Sequence, residues 1–65
     1  MSEFPIELQA KFNKVYSNLP MGVRQEIIAV IDGEPMTWHV CRLEIEQRME
    51  LGDRILRYLN KLGII

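Results

Sequence analysis

Residues 27–38 read I-I-A-V-I-D-G-E-P-M-T-W, and the backbone adopted by this stretch decides the fold of the whole chain. As a β-hairpin, the apolar run Ile27 to Ile31 makes a buried strand. Asp32-Gly33 then supplies the positive-φ positions of a type I′ turn, and Glu34 to Thr37 returns. As a helix, the same residues place Val23, Ile27, Val30 and Ile31 on one face and make Gly33 a left-handed stop. The hairpin is the better reading. Ile28 would sit off the apolar face of such a helix. The run is also dominated by β-branched side chains, which lose rotamer freedom in helices and pack well on a pleated surface. Pro35 has no N–H, so it suits an edge or outward-facing site in a short returning strand. A longer sheet needs a partner strand from elsewhere.

On both sides of this stretch the pattern is helical. A first helix is predicted from about Pro5 to Asn18, with proline in the first turn, where a missing N–H breaks no intrahelical bond. Leu8, Phe12, Val15, Tyr16 and Leu19 form its stripe, Glu7 and Lys11 pair at i, i+4, and Pro20 blocks further growth. A second helix is predicted after Thr37, whose hydroxyl can accept from an unsatisfied N–H, and runs to about Met49. Trp38, Cys41, Ile45 and Met49 make one apolar stripe on it, while Val40 and Leu43 lie roughly opposite. Such a helix has to be covered on two sides. Either the hairpin or first helix does this within the monomer, or a partner or second copy does, and Val40 and Leu43 are then the contact. After a break at Gly52, a third helix is predicted from about Asp53 to Leu62, with Asp53 near its positive end and Lys61 near its negative end. Ile55, Leu59 and Leu62, flanked by Leu56 and Tyr58, form its core face, and Leu62-Gly63-Ile64 has the form of a Schellman stop. The predicted fold is a single small α+β domain over residues 1–65, in the order helix, β-hairpin, helix, helix. Phe12, Trp38, Ile45, Leu59 and Leu62 are expected in its core.

A chain of 65 residues holds one domain, and a single core of this size rarely contributes more than about 3–5 kcal/mol of net stability. The lone Cys41 cannot form an intramolecular disulfide and no leader pattern opens the chain, so a reducing, cytoplasmic setting is expected. The longest apolar run is far shorter than the roughly 20 residues that span a bilayer, so no membrane association is expected. Nearly half the residues are apolar, a rich supply for so short a chain, which favours a dimer or a bound partner. The net charge of −1 gives no overall field that draws the molecule to nucleic acid. Residues 51–65 nevertheless carry Arg54, Arg57 and Lys61 against Asp53 alone.

No catalytic site assembles from these residues. His39 and Cys41 are two positions apart, about 160° around a helix, which excludes a local metal pair or a nucleophile with its base. His39 is expected at the surface and Cys41 in the core. Glu46 and Glu50 make a solvated acidic edge, and the isolated glycines form no phosphate-binding loop. No catalytic, cofactor-binding or metal-binding residue is therefore predicted, and the chain is expected to be non-enzymatic. Trp38 is expected to anchor hairpin to helices, with an interface role as the alternative. Met21, Met36 and Met49 fill core gaps or supply an adaptable surface.

Thr37 opens a helix, Val40-Cys41 is a large-then-small pair, and the chain ends with Leu56, Leu59 and Gly63-Ile64-Ile65. In these points residues 36–65 resemble the second and third helices of winged helix-turn-helix domains, and the ending is similar to that family's passage from recognition helix into wing. The resemblance implies that Arg54, Arg57, Asn60 and Lys61 face a nucleic-acid groove. It fits the helical alternative for residues 23–31, which would give an all-α, three- or four-helix helix-turn-helix protein. Two functions follow. The first is a protein-interaction or assembly module using Val40 and Leu43, with a protein partner or a second copy in a homodimer. The second is a nucleic-acid-binding regulator using helix 53–62, ranked lower because the whole chain is slightly acidic.

Overall fold

Asp32 and Gly33 adopt φ values of 54° and 79°, the successive left-handed positions that reverse a strand within two residues. Strand β1 (Ile27–Ile31) therefore turns directly into β2 (Glu34–Thr37). In the antiparallel register Ile31 faces Glu34, Val30 faces Pro35 and Ala29 faces Met36, with an irregularity before Ile27 meets Thr37. A two-residue loop makes Ile31–Glu34 a hydrogen-bonded pair, so at the next pair the N–H of Val30 points away from β2. By the same alternation, the N–H that Pro35 lacks belongs to the outer edge of β2, which is why proline fits there.

The computed structural model describes residues 3–65; the first two residues of the expected 1–65 domain lie outside the described residues. Helix α1 (Ile6–Ser17) comes first, then a short 3-10 segment (Met21–Gln25), the hairpin, α2 (Trp38–Glu46) and α3 (Glu50–Lys61). This is an α+β fold in the order helix, hairpin, helix, helix, and residues 27–31 are strand, not the alternative helix. The run is not buried throughout, however. Ala29 and Ile31 enter the core with Met36, whereas Ile27 and Val30 are 61% and 59% exposed. Alternation puts Val30 on the face opposite Ala29 and Ile31, and the irregularity between Ile27 and Ala29 interrupts it, so that Ile28 packs against the core while Ile27 is exposed.

In α1, Phe12 is fully buried, with Leu8, Val15, Tyr16 and Leu19 packed against the core. Its ring meets that of Trp38 at 5.6 Å in a tilted arrangement, joining α1 to the first residue of α2. Glu7 and Lys11 do not form the expected pair. The Lys11 ammonium instead donates to Asn60 Oδ1 at 2.8 Å, tying α1 to α3.

Thr37 caps α2 as expected, its hydroxyl oxygen accepting from the Val40 N–H at 3.1 Å. The helix ends at Glu46 and does not reach Met49. Arg48 takes a left-handed φ of 53°, which breaks the helical path, and Met49 becomes the extended, exposed residue before α3. Helix α3 then starts at Glu50, so Gly52 lies in its first turn and is not a break. A Cβ at position 52 would lie 2.7 Å from the Glu44 carbonyl oxygen and 2.9 Å from Ile45 Cα. Glycine here lets α2 and α3 meet backbone to backbone.

Ile55, Leu56 and Leu59 are fully buried in α3. Leu62, expected with them, is 52% exposed. It falls at the C-cap, beside Tyr58 on the flank of the helix that the core does not reach. The expected Schellman stop is present: Gly63 has φ 77°, its N–H donates to Asn60, and the Ile64 N–H donates to Leu59 at 3.0 Å. Ile64 and Ile65, folded back by that turn, pack against the core where Leu62 does not.

Candidate functional site

Helix α2 turns Trp38, Cys41 and Ile45 inward. Val40 is half-buried against the core, and Leu43 is 43% exposed. Of the two residues expected to form a second apolar face, the fold covers one in part and leaves the other at the surface. Next to them, Arg42 and Glu46 form an ion pair at 3.0 Å.

The four polar residues of the expected recognition helix do share the outer side of α3, and three already hold partners. Arg54 donates to Asp32 Oδ1 at 2.6 Å, Arg57 donates to Asp53 one turn earlier, and Asn60 accepts from Lys11. Lys61 is exposed in the last turn. The hydrogen bond from the Arg54 guanidinium holds the Asp32 carboxyl below its ordinary range, against desolvation and with the guanidinium's charge adding a lesser pull. Two of the three cations on this face are thus matched by carboxylates within the chain, which lowers the positive potential available to a phosphate backbone.

His39 is exposed and Cys41 is fully buried, as expected. Burial, with the charge of Glu44 adding to it, pushes the Cys41 thiol up to about 11, so it stays protonated and weakly nucleophilic at neutral pH. Among the described residues no cluster of three His, Cys, Asp or Glu side chains could hold a metal ion. No helix of the described residues is long and apolar enough to cross a membrane.

Sequence periodicity does not reveal the groove at the turn end of β1. It is lined by Val30, Ile31 and Asp32 on one side and by Arg54 and Tyr58 of α3 on the other. It exists because α2 follows β2 directly and packs on that side of the hairpin, leaving α3 to flank β1. The Arg54–Asp32 pair pins the turn to the helix at one end of the groove. Tyr58 and Leu62, one turn apart, leave exposed apolar surface on that flank of α3. Two signals in the chain point to it: a proline in β2 with neither proline nor charge in β1, and an apolar pair at i, i+4 beyond the core face.

A second unanticipated feature joins the 3-10 segment to α1 and α2. The Arg24 guanidinium lies 4.4 Å from the Tyr16 ring centroid and that of Arg42 lies 5.4 Å from it. Arg24 also donates to the Tyr16 carbonyl at 3.2 Å. These contacts lock the segment that positions the start of β1. In comparisons with protein-family models, curated proteins and solved structures, the chain matches none.

Proposed function

We propose that this chain is a small, non-enzymatic protein-interaction or assembly module. The observation that carries the reading is the set of apolar side chains that the fold leaves outside its core, with Val30 and Tyr58 facing one groove and Leu43 standing out from α2. Scattered exposed leucines are ordinary on any protein, but Val30 and Tyr58 share one groove, edged by the Arg54–Asp32 pair, and apolar grooves with a charged rim favour docking. Arg54, Arg57 and Asn60, three of the four polar residues on the outer side of α3, bind other parts of the chain, and the one thiol is buried. That reduced, buried thiol suits a cytoplasmic setting. The partner is a protein or a second copy, with Val40 and Leu43 at one contact face.

Site-specific photo-crosslinking in the producing cell tests this reading. A photoreactive side chain at position 30 or 43 should give a discrete protein adduct, and the same group at exposed Gln47 should give none. Absence of a discrete adduct from both apolar positions contradicts an interaction role. Replacing Leu43 by Glu should weaken an association made through α2 while leaving the circular dichroism unchanged. A Leu43→Glu chain that unfolds would make that residue structural.

A further inference from the structure

We propose that the cleft between α1, the 3-10 segment and α2 binds a carboxylate, with Arg24 as its principal donor and Arg42 as the second. This goes beyond the interaction reading above and does not depend on it.

The cleft has a volume of about 410 Å³ and is lined by Asn13, Tyr16 and Ser17 of α1, Arg24 of the 3-10 segment, and Arg42 and Glu46 of α2. After Pro20 the 3-10 turn carries Arg24 back over Tyr16, and Arg42 reaches the same ring from α2. Two cations therefore stand beside one ring, with Glu46 as the only carboxylate in the lining. Glu46 pairs with Arg42, and among the described residues Arg24 has no acidic partner.

Arg24 differs from the other cations that lack a carboxylate. Lys11, Lys14, Arg48 and Lys61 are exposed, whereas Arg24 is partly buried. A guanidinium has five N–H groups. Here one bonds to the Tyr16 carbonyl at 3.2 Å, and the one on Nε is shut from solvent without an acceptor. Those left on the terminal nitrogens form a fork that suits the two oxygens of a carboxylate. Because the cation has already lost part of its water, an anion beside it gains more than it would at an exposed lysine.

The balance of charge in the cleft selects the ligand. Two guanidiniums against Glu46 leave one positive charge, which a single carboxylate cancels. A phosphate monoester carries close to two negative charges at neutral pH and would leave an excess beside Glu46. The Arg42 and Glu46 side chains are 41% and 47% exposed, and a pair so open to water is weak, so Arg42 can share its fork with a second carboxylate. Asn13 adds a neutral amide donor. The same group could arrive on a small free acid or on an acidic side chain of a protein, and the exposed Leu43, next to Arg42, gives the protein source an apolar neighbour.

Nitrogen-15 NMR of the full chain tests the proposal, with acetate as the free acid and a blocked Leu-Glu dipeptide as the side chain, at an ionic strength held constant with chloride. Both should shift the Arg24 Nε–H signal and the amides of residues 21–25 saturably, with half-saturation below about 100 mM. Glu46→Gln, on an exposed site, should tighten binding at least about threefold by removing a like charge, and Arg42→Gln should weaken it. Arg24→Gln should abolish saturation. If that variant does not fold, Glu46→Gln decides. Dipeptide binding tighter than that of acetate supports the site with a protein as the source, and equal binding supports it with a free acid. Shifts that never saturate with either probe overturn the proposal. So does a Glu46→Gln chain that binds no more tightly than the wild type, or inorganic phosphate that binds more tightly than acetate. Photo-adducts from positions 30 or 43 without saturable carboxylate binding remove this site alone, and the reverse result removes the interaction reading alone.

Discussion

Where α3 meets α2, Gly52 brings the two backbones so close that a Cβ would lie 2.7 Å from the Glu44 carbonyl oxygen, and Ile45, Ile55, Leu56 and Leu59 are shut from solvent. The hairpin is built from an equally apolar run, yet Ile27 and Val30 stay at the surface and neither outer strand edge has a partner strand. The difference comes from geometry, not from composition. A helix gathers its apolar residues on one stripe, which a neighbouring helix can cover, whereas a strand sends alternate side chains to opposite faces. Val30 thus stands opposite the buried Ala29 and Ile31, and the irregularity between Ile27 and Ala29 leaves Ile27 at the surface as well. The helical junction is therefore the closed part of the molecule, and the hairpin is the part that keeps apolar side chains at the surface.

The largest effect should come from the closed side. Leu59→Ala should cost about 2–5 kcal/mol by lost contacts and a residual cavity, close to the whole stability of so small a domain, and urea unfolding measures it. A harmless truncation would show that α3 does not present that face to the core. Gly52→Ala should come next. Alanine favours a helix interior over glycine by about 1 kcal/mol, so an isolated helix would be stabilised. Here the new methyl meets backbone on α2, which cannot swing aside as a side chain can, and a net loss of about 1–3 kcal/mol is expected from overpacking. A stabilised Gly52→Ala chain would refute the close approach.

A third, smaller effect is pH-dependent. The folded state raises the Cys41 thiol to about 11, against about 8.5 in an unfolded chain. The folded state thus holds this proton more tightly. Its contribution is fully present below the unfolded value and is lost as pH rises from there towards the folded one. Alkaline unfolding should begin at higher pH in Cys41→Ala relative to that variant's own neutral stability. An identical pH profile in the two chains would show that Cys41 is not the group responsible. The smallest effect belongs to the open side: Val30→Thr should change monomer stability by less than about 0.5 kcal/mol, because the site is solvent-exposed and threonine suits a strand. A loss as large as that of Leu59→Ala would mean that the outer face of the hairpin is covered within the monomer.

What could be read from the chain is what depends on neighbours in sequence. Asp32-Gly33 forms the turn, Thr37 caps α2, and Gly63 ends α3, because each rests on a few consecutive backbone groups. The features that could not be read depend on distant parts of the molecule. Gly52 looks like a helix break until α2 is packed against it. Arg48 takes a left-handed conformation that its residue type does not announce, and so α2 stops short of Met49. Leu62 has the right spacing for the core, but the core ends before it and Ile64 and Ile65 fold back in its place. The same limit applies to the site. Periodicity singles out Val40 and Leu43 on α2, whereas the groove between Val30 and Tyr58 appears only once α3 is known to lie beside β1. Arg54 and Arg57 look like a basic stripe in sequence, and the fold gives them Asp32 and Asp53 as partners.

Residue-by-residue amide exchange in dilute protein, where association is negligible, tests the closed and open sides most directly. Leu56 and Leu59 should exchange only through global unfolding, and the Ile31 amide, bonded across the hairpin to Glu34, should be protected to a lesser but measurable degree. The Val30 amide, one residue away and pointing outward, should exchange nearly as fast as an unstructured peptide. A Val30 amide as slow as that of Ile31 at the lowest concentration would contradict an open β1 edge.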